Sequence, residues 1–396
     1  MSHKKIVFVQ TTLGHYEHAR LLDLAQYCQG EGFAFLNIEL SGSIRDYPWF
    51  RTTVQQGYSN LSLFPSDKLD EIPEKKLWRA LKDCLEKLEP DVVFLAGYSL
   101  SILRKAKIWC ERRKIATVLI SDSNEFDKRR YTPVEFLKSL FVRRFDAAFV
   151  AGQSSSVYIQ HLGIPKERIA FGCDVVDVKK LAEQAVCSRK HIFEIRQRWN
   201  LPLNYFLFVG RMIPEKNIIG LLAAFEQFLR KKESNGEWHL VICGAGGQEK
   251  EIEVFLKNLS SEDQSIIHLP GFVEPDRLVD FYSAASYLVL PSISETWGLV
   301  VNEAMACSLP VIVSKRAGSS FDLVREGENG WTIDPFDTEM MSNVLGNAAN
   351  MDERTREKFG QKSRALITNW DLDLFSRGVV ESSRMALAHA QHKYRG

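Results

Sequence analysis

At 396 residues the chain exceeds what one hydrophobic core ordinarily serves, so two domains are expected. Apolar residues make up 45% and charged residues 26%, an ordinary balance for a soluble globular protein. The net charge of +1 does not single out a nucleic-acid binder, and no nucleic-acid partner is expected.

The elements alternate short apolar runs with helical periodicity, the pattern of parallel sheets covered by helices. "MSHKKIVFVQ" reads as a first strand rather than a signal peptide. An amphipathic helix follows in "ARLLDLAQYCQGEG", then a strand in "FAFLNIEL". Residues 41–75 read as irregular. "LWRALKDCLEKLEP" is a helix closed by Pro90, "DVVFLAGYS" a strand, "ILRKAKIWCERRKI" a basic helix and "ATVLISDS" a strand. "AAFVAG" reads as the last strand of this half.

A polar stretch over 175–203 precedes a second set. In it "YFLFVGR", "WHLVICGAG", "SIIHLPGFV", "SYLVLPS", "LPVIVSKRAG" and "GWTIDP" are strands, with helices such as "IIGLLAAFEQFLRKK" and "QEKEIEVFLKNL" between them. The expected fold is α/β: two Rossmann-like doubly wound domains facing each other across a cleft. Ligands bind outside the carboxyl ends of the strands in such sheets.

The seven cysteines (Cys28, Cys84, Cys110, Cys173, Cys187, Cys243 and Cys307) are scattered, with no C-x-x-C pair and no Cys/His ligand spacing. That points to reduced thiols in a cytosolic protein and away from a structural zinc. No apolar run approaches the roughly 18–20 residues of a membrane span. A peripheral membrane contact stays open.

Two segments carry the chemistry. In "SISETWGLVVNEAMACSLPVIVS" (292–314), Glu295 precedes a helix that starts near Gly298, and Glu303 lies in its second turn. The first N–H groups of a helix lack partners within it and sit at its positive end, a ready anion site. Gly298 lets a ligand approach the backbone closely. A phosphate fits on the N–H groups of Gly298, Leu299 and Val300, with a carboxylate on either side to accept from sugar hydroxyls. The plainer alternative makes Glu295 a helix cap and Glu303 a solvated surface residue. In "FVGRMIPEKN", Arg211 and Lys216 stand in a loop after a strand, at the same sheet edge. Arginine offers phosphate a bidentate fork and lysine a compact charge. Here the plain alternative is a basic surface loop.

At these residues the chain closely resembles the family 4 glycosyltransferases of the GT-B fold. The matching motifs are "VGRMIPEKN" (209–217), "ICGAGG" (242–247), "LPGFV" (269–273), "YSAASYLVLPSISETWGLVVNEAMACSLPVI" (282–312) and "EGENGWTIDP" (326–335). The first half is looser: "LGIPKERIAFGCDVVD" (162–177) resembles the family's interdomain approach, and "WDLDLFSRGV" (370–379) its closing helix. The resemblance implies an acceptor-binding domain over 1–185, to which 371–396 return, and a nucleotide-sugar domain over 186–370. It implies a retaining hexosyltransferase that needs no metal or other cofactor. Its co-substrate would be an NDP-sugar, UDP-hexose favoured, and its acceptor a hydroxyl.

Roles follow position by position. Arg211 and Lys216 would neutralise the diphosphate, Glu303 would hold the ribose, and Glu295 would contact the donor sugar. Gly298, Leu299 and Val300 would offer N–H groups. Val273 would meet the base through its backbone, Gly210 belongs to the same donor-binding set, and Gly14 would lie near donor and acceptor. One departure stands out. Where many members carry a histidine, this chain reads Ser121, Asp122, Ser123, like a subgroup with a Ser-acidic-Ser motif. Asp122 or Ser123 is therefore a candidate for orienting the acceptor or hydrogen-bonding the sugar, against the plain reading of a strand-end Asx turn. His15 and His18 could stand near the cleft too, though a lone loop histidine is more often solvated.

Residues 104–144 hold twelve Lys/Arg against five Asp/Glu, so this region is locally basic. It could attract a lipid-linked diphosphate, an anionic metabolite or the inner face of a membrane. The aromatic stretch 45–64 could line an acceptor groove or fill core. Competing functions are a GT-B epimerase or phosphorylase and a non-catalytic nucleotide-sugar-binding protein. "CGAGG" also raises a dehydrogenase, but without the G-x-G-x-x-G spacing.

Overall fold

The computed structural model describes residues 3–43, 57–231 and 236–395. Residues 45–56 of the aromatic stretch lie outside these. The chain divides into two compact units. One comprises 1–125, 129–177 and 371–396, and the other 126–128 and 178–370. The expected division at 185 and 186 falls inside a helix, Val178–Lys190. That helix packs on the helices Pro275–Ala284 and Leu299–Ala306 of the second unit, so the chain passes between units at Asp177.

The first unit is built on seven parallel strands: β1 (Lys4–Gln10), β2 (Phe33–Glu39), β3 (Asn60–Ser62), β4 (Val92–Ala96), β5 (Ala116–Ser121), β6 (Ala147–Val150) and β7 (Ile169–Phe171). Their order is β3-β2-β1-β4-β5-β6-β7. Val7 of β1 stands opposite Leu36 on β2 and Val93 on β4, so the chain order reverses at β1. Ile6–Val9 and Val92–Leu95 are fully buried, as a sheet covered on both faces requires. Two strands escaped the apolar pattern. β3 is a three-residue edge strand with no buried side chain, and β7 follows the strand read as last.

The helix Leu372–Arg395 packs on β5, β6 and β7 and on the helix His15–Gly30, within the first unit. Gly378 is what lets it come so close. A Cβ there would stand 2.4 Å from the Phe171 carbonyl oxygen and 2.5 Å from the Phe149 ring. Ser376 Oγ donates to Asp23 on the helix beneath, at 2.6 Å.

The second unit carries six parallel strands: β8 (Tyr205–Val209), β9 (His239–Cys243), β10 (Ile267–Gly271), β11 (Tyr287–Leu290), β12 (Val311–Ser314) and β13 (Gly330–Ile333). Their order is β10-β9-β8-β11-β12-β13. Leu207 of β8 faces Val241 on β9 and Leu288 on β11. The loops after β8 and β11 therefore leave the sheet in opposite directions and open a crevice between them. Phe206 stacks on Trp238 (ring centroids 4.8 Å apart) and on Tyr287 (5.7 Å). Each such buried side chain stabilises by about 1.5–3 kcal/mol; the three stand at or just before the amino-terminal ends of their strands, away from the crevice. The polar stretch 175–203 holds two helices, Val178–Lys190 and Ile192–Trp199. Few of their side chains are buried, and the apolar periodicity is correspondingly faint.

Candidate active site

The crevice between β8 and β11 is built by three glycine-dependent loops. β8 ends at Val209, and Gly210 N donates to Cys243 O at 3.0 Å. Met212 N donates to Ala245 O at 2.9 Å, and Gln248 N returns a bond to Met212 O at 2.9 Å. The "CGAGG" loop thus lies directly on residues 210–212. A Cβ on Gly244 (φ +153°) would stand 1.9 Å from Gly210 O, and one on Gly246 (φ +159°) 2.5 Å from Met212 O. These glycines allow two backbones to touch. The Gly246 N–H is moreover taken by Glu249 Oε1, at 2.9 Å. The structure accounts for them without a dinucleotide.

Arg211 is half-buried at the start of the β8 loop, and Lys216 ends a short 3₁₀ turn, Pro214–Lys216. Asn217 closes the turn in the left-handed conformation (φ 57°), and its Nδ2 donates to Pro335 O at 2.7 Å. The helix Ile218–Lys231 then begins. Lys216 Nζ donates to Glu295 Oε2, and Ser292 Oγ donates to the same oxygen at 3.2 Å. Both members of the ion pair are largely buried, with side-chain exposures of 16% and 12%. Two backbone bonds run beside it. Ile293 N and Ser294 N both donate to Glu215 O, at 2.8 and 3.3 Å. The two candidate segments, expected at one sheet edge, meet there through the Lys216–Glu295 ion pair.

Gly298 has φ +96°, and a Cβ on it would meet Leu290 at 2.8 Å and Glu295 Cγ at 3.3 Å. Only glycine fits without strain. It caps the eight-residue helix Leu299–Ala306, which takes no side-chain cap. Leu299 and Val300 are half-exposed there, at a helix end whose first N–H groups have no partner inside the helix. Trp297 is buried and fixes this loop: its Nε1 donates to Asn302 Oδ1 at 2.9 Å, and its ring packs on Trp370 at 5.1 Å.

Glu303 is only 5% exposed, and its Oε2 accepts from Tyr282 Oη at 2.6 Å. The surface alternative for Glu303 is thereby removed, since a carboxylate in that surrounding must be held by donors. Val273, just after β10, buries its side chain.

Gly14 and Asp122 belong to the first unit, at the carboxyl ends of β1 and β5. Gly14 N donates to Glu17 Oε2 at 3.0 Å, so that amide already caps its own helix. The Asp122 carbonyl accepts from Ser155 Oγ at 2.8 Å. His18 is buried, not solvated: its Nδ1 lies 2.6 Å from Tyr58 Oη.

Three neighbours were not singled out from sequence. Tyr282, the first residue of the longest quoted motif, holds Glu303. Arg316 donates from Nε to Ile293 O at 2.5 Å and from its fork to Phe126 O at 3.2 Å, bracing the loop that carries Glu295. Ser319 is fully buried beside Gly298, and its Oγ has no hydrogen-bond partner. An orphaned hydroxyl at an open helix end is what a bound oxygen-rich ligand would satisfy. Among the described residues no three His, Cys, Asp or Glu side chains are grouped to hold a metal ion.

Residues 191–366 match the family model described as glycosyl transferases group 1. The D-inositol 3-phosphate glycosyltransferase of Acidothermus cellulolyticus is 33% identical over 201 residues, which are 49% of this chain and 44% of that protein. The lipopolysaccharide 1,2-N-acetylglucosaminetransferase of Salmonella typhimurium is 25% identical over 316 residues, 76% of this chain and 74% of that protein. The match thus spans less than half the length of the first of these relatives. Among solved structures, Anabaena HepE in complex with UDP superposes with a TM-score of 0.72 at 16% identity, over 96% of this chain and 98% of that one. At that identity the likeness speaks to the fold alone, the GT-B fold.

Proposed function

We propose that the chain is a group 1 glycosyltransferase that moves a hexose from a nucleoside-diphosphate sugar, UDP-hexose favoured, to a hydroxyl acceptor. The observation that carries this reading is the meeting of Lys216, Glu295 and the open helix end at Gly298 at one switch point, with Glu303 in the second turn of that helix. The diphosphate takes the helix N–H groups together with Arg211 and Lys216. A lysine ammonium has three donors, so holding Glu295 leaves others for a phosphate oxygen. Charge that builds on the leaving diphosphate is met by these cations, preorganised in a largely dehydrated crevice. In this reading they do the work of a divalent ion, and no metal or other cofactor is required.

Glu303, oriented by Tyr282, accepts from the ribose hydroxyls, and Glu295 accepts from the hexose. The backbones of Val273 and Gly210 border the base and the phosphates. Asp122 is assigned to the acceptor hydroxyl, and Gly14 to the space at the end of β1. The acceptor oxygen bonds the anomeric carbon on the face the diphosphate leaves, with retention. The acceptor is a lipid-linked or polysaccharide precursor or a small metabolite. The reaction is set in the cytoplasm, with a peripheral membrane contact through the basic region 104–144.

The test is nucleotide release from UDP-hexose by the purified chain, with and without lipid and soluble acceptor pools, followed by NMR of the product's anomeric proton. Acceptor-dependent UDP release with retained configuration supports the reading. Binding of the donor without release in any pool would favour the non-catalytic alternative, and inversion would refute the stereochemistry.

A further inference from the structure

Four of the protein's exposed large apolar side chains fall within seven residues: Tyr131 (55% exposed), Val134 (48%), Phe136 (62%) and Leu137 (66%). They belong to the helix Thr132–Val142 and the residue that caps it, in the first unit. Val134, Leu137 and Phe141 follow at i, i+3 and i+7, with Phe136 and Leu140 on the adjoining stripe. Val142 is fully buried and Phe141 packs edge-on against Phe145, centroids 6.0 Å apart, which anchors the far end. The apolar side chains at the near end stay between 48% and 66% exposed, with the Arg129 guanidinium 5.4 Å over the Tyr131 ring.

The charges around this face are mostly positive. Residues 129–144 hold Arg129, Arg130, Lys138, Arg143 and Arg144 against the single acid Glu135. That carboxylate is turned to the protein: it accepts from Tyr158 Oη at 2.7 Å and from Lys138 Nζ at 2.7 Å, and lies 3.7 Å from Arg130. Arg129 and Arg143, at the two ends of the helix, are exposed. The helix is 11 residues long, and among the described residues no helix is long and apolar enough to cross a membrane. A short helix with bare apolar side chains, flanked by cations and with its one acid withdrawn, has the make-up of a segment that lies in a lipid interface.

We propose that the helix Thr132–Val142 is the membrane-docking element of the chain, with Tyr131, Val134, Phe136 and Leu137 entering the headgroup boundary of an anionic bilayer while Arg129 and Arg143 contact its phosphates. This sharpens the peripheral contact of the broad basic region to one helix. It is independent of the transferase chemistry, because the readout is binding and not turnover.

The experiment is flotation of the purified full chain with vesicles of phosphatidylcholine alone or mixed with phosphatidylglycerol, at low and high salt. The chain is expected to float with the mixed vesicles only, and less so at high salt. Phe136→Ser with Leu137→Ser should lower the partition coefficient at least about tenfold, and Arg129→Gln with Arg143→Gln by roughly tenfold. Both variants should keep the wild-type melting temperature and its response to UDP. Hydrogen exchange on the wild-type chain supplies a readout that needs no variant: vesicles should protect amides within 129–144. No flotation, equal flotation with neutral vesicles, or protection confined to other segments would overturn the proposal. So would a wild-type dimer that the serine variant converts to monomer, since the face would then bind a second copy. Loss of flotation with the UDP response intact would leave the transferase reading standing.

Discussion

Tyr282 donates its phenolic proton to Glu303 Oε2 at 2.6 Å, and both side chains are buried. The tyrosine lies in the last turn of one helix of the second unit and the glutamate sits in another, 21 positions on. This bond sets which way the carboxylate points before any ligand arrives, and a preset acceptor costs less to organise when a sugar hydroxyl binds.

Tyr282→Phe keeps the ring and removes only the donor. Leaving a buried carboxylate oxygen short of a partner costs about 1–3 kcal/mol. The variant should unfold at lower urea concentration and bind free UDP more weakly by roughly threefold to tenfold, read by calorimetry. Wild-type values for both would contradict the role given to this pair.

Lys216→Ala removes one cation of the crevice and leaves Glu295 without its ion-pair partner. Loss of a contact to developing charge should cut kcat/KM by at least about 100-fold. A loss below about threefold in the UDP-release assay would sink that role.

Gly298 holds φ +96° against Leu290. Alanine there should cost about 1–2 kcal/mol in backbone strain alone and push the helix end out of place. Denaturant unfolding and UDP affinity are both expected to suffer. Unchanged affinity would mean that the N–H groups of Leu299 and Val300 do not meet the ligand.

His239 and His268, on the neighbouring strands β9 and β10, touch through their rings, Nδ1 to Nε2, at 3.0 Å. Burial lowers both below the ordinary value of 6.5, and the charge of His239 lowers His268 further. The unfolded chain therefore takes up protons that the folded chain resists. The stability of the neutral pair is complete above about pH 6.5 and is lost as pH falls from there through the lowered values. The melting temperature should decline across that acid window, and His268→Gln should flatten the decline. A variant profile as steep as wild type would assign the acid loss elsewhere.

Much of the fold was legible because buried parallel strands read as unbroken apolar runs: Tyr205–Val209, Leu240–Cys243 and Tyr287–Leu290 declare themselves. What stayed hidden were elements whose burial is partial. β3 buries no side chain, and the helices Val178–Lys190 and Ile192–Trp199 present only a few apolar positions to their neighbours. The polar stretch 175–203 reads only as separating the two sets of elements, whereas the helix Val178–Lys190 belongs to the second unit. Glu295, Glu303, Arg211 and Lys216 could be singled out by residue type next to strand ends. Their shared sheet edge could be read as well, but the Lys216–Glu295 ion pair could not, because the two residues lie 79 positions apart. Tyr282 and Ser319 were invisible for another reason: a hydroxyl in an apolar setting looks like core until the structure shows what it faces.

The central claim is that Glu303 and its neighbours grip a nucleotide sugar. Its most direct test is the melting temperature of the purified chain and of Glu303→Ala with UDP, GDP, ADP, dTDP and their sugar conjugates at millimolar concentration. A ligand that binds only the folded state raises that temperature. The wild type is expected to rise with one nucleotide family, UDP foremost, and the variant to lose that rise. No rise with any nucleotide, or an equal rise in the variant, would contradict it.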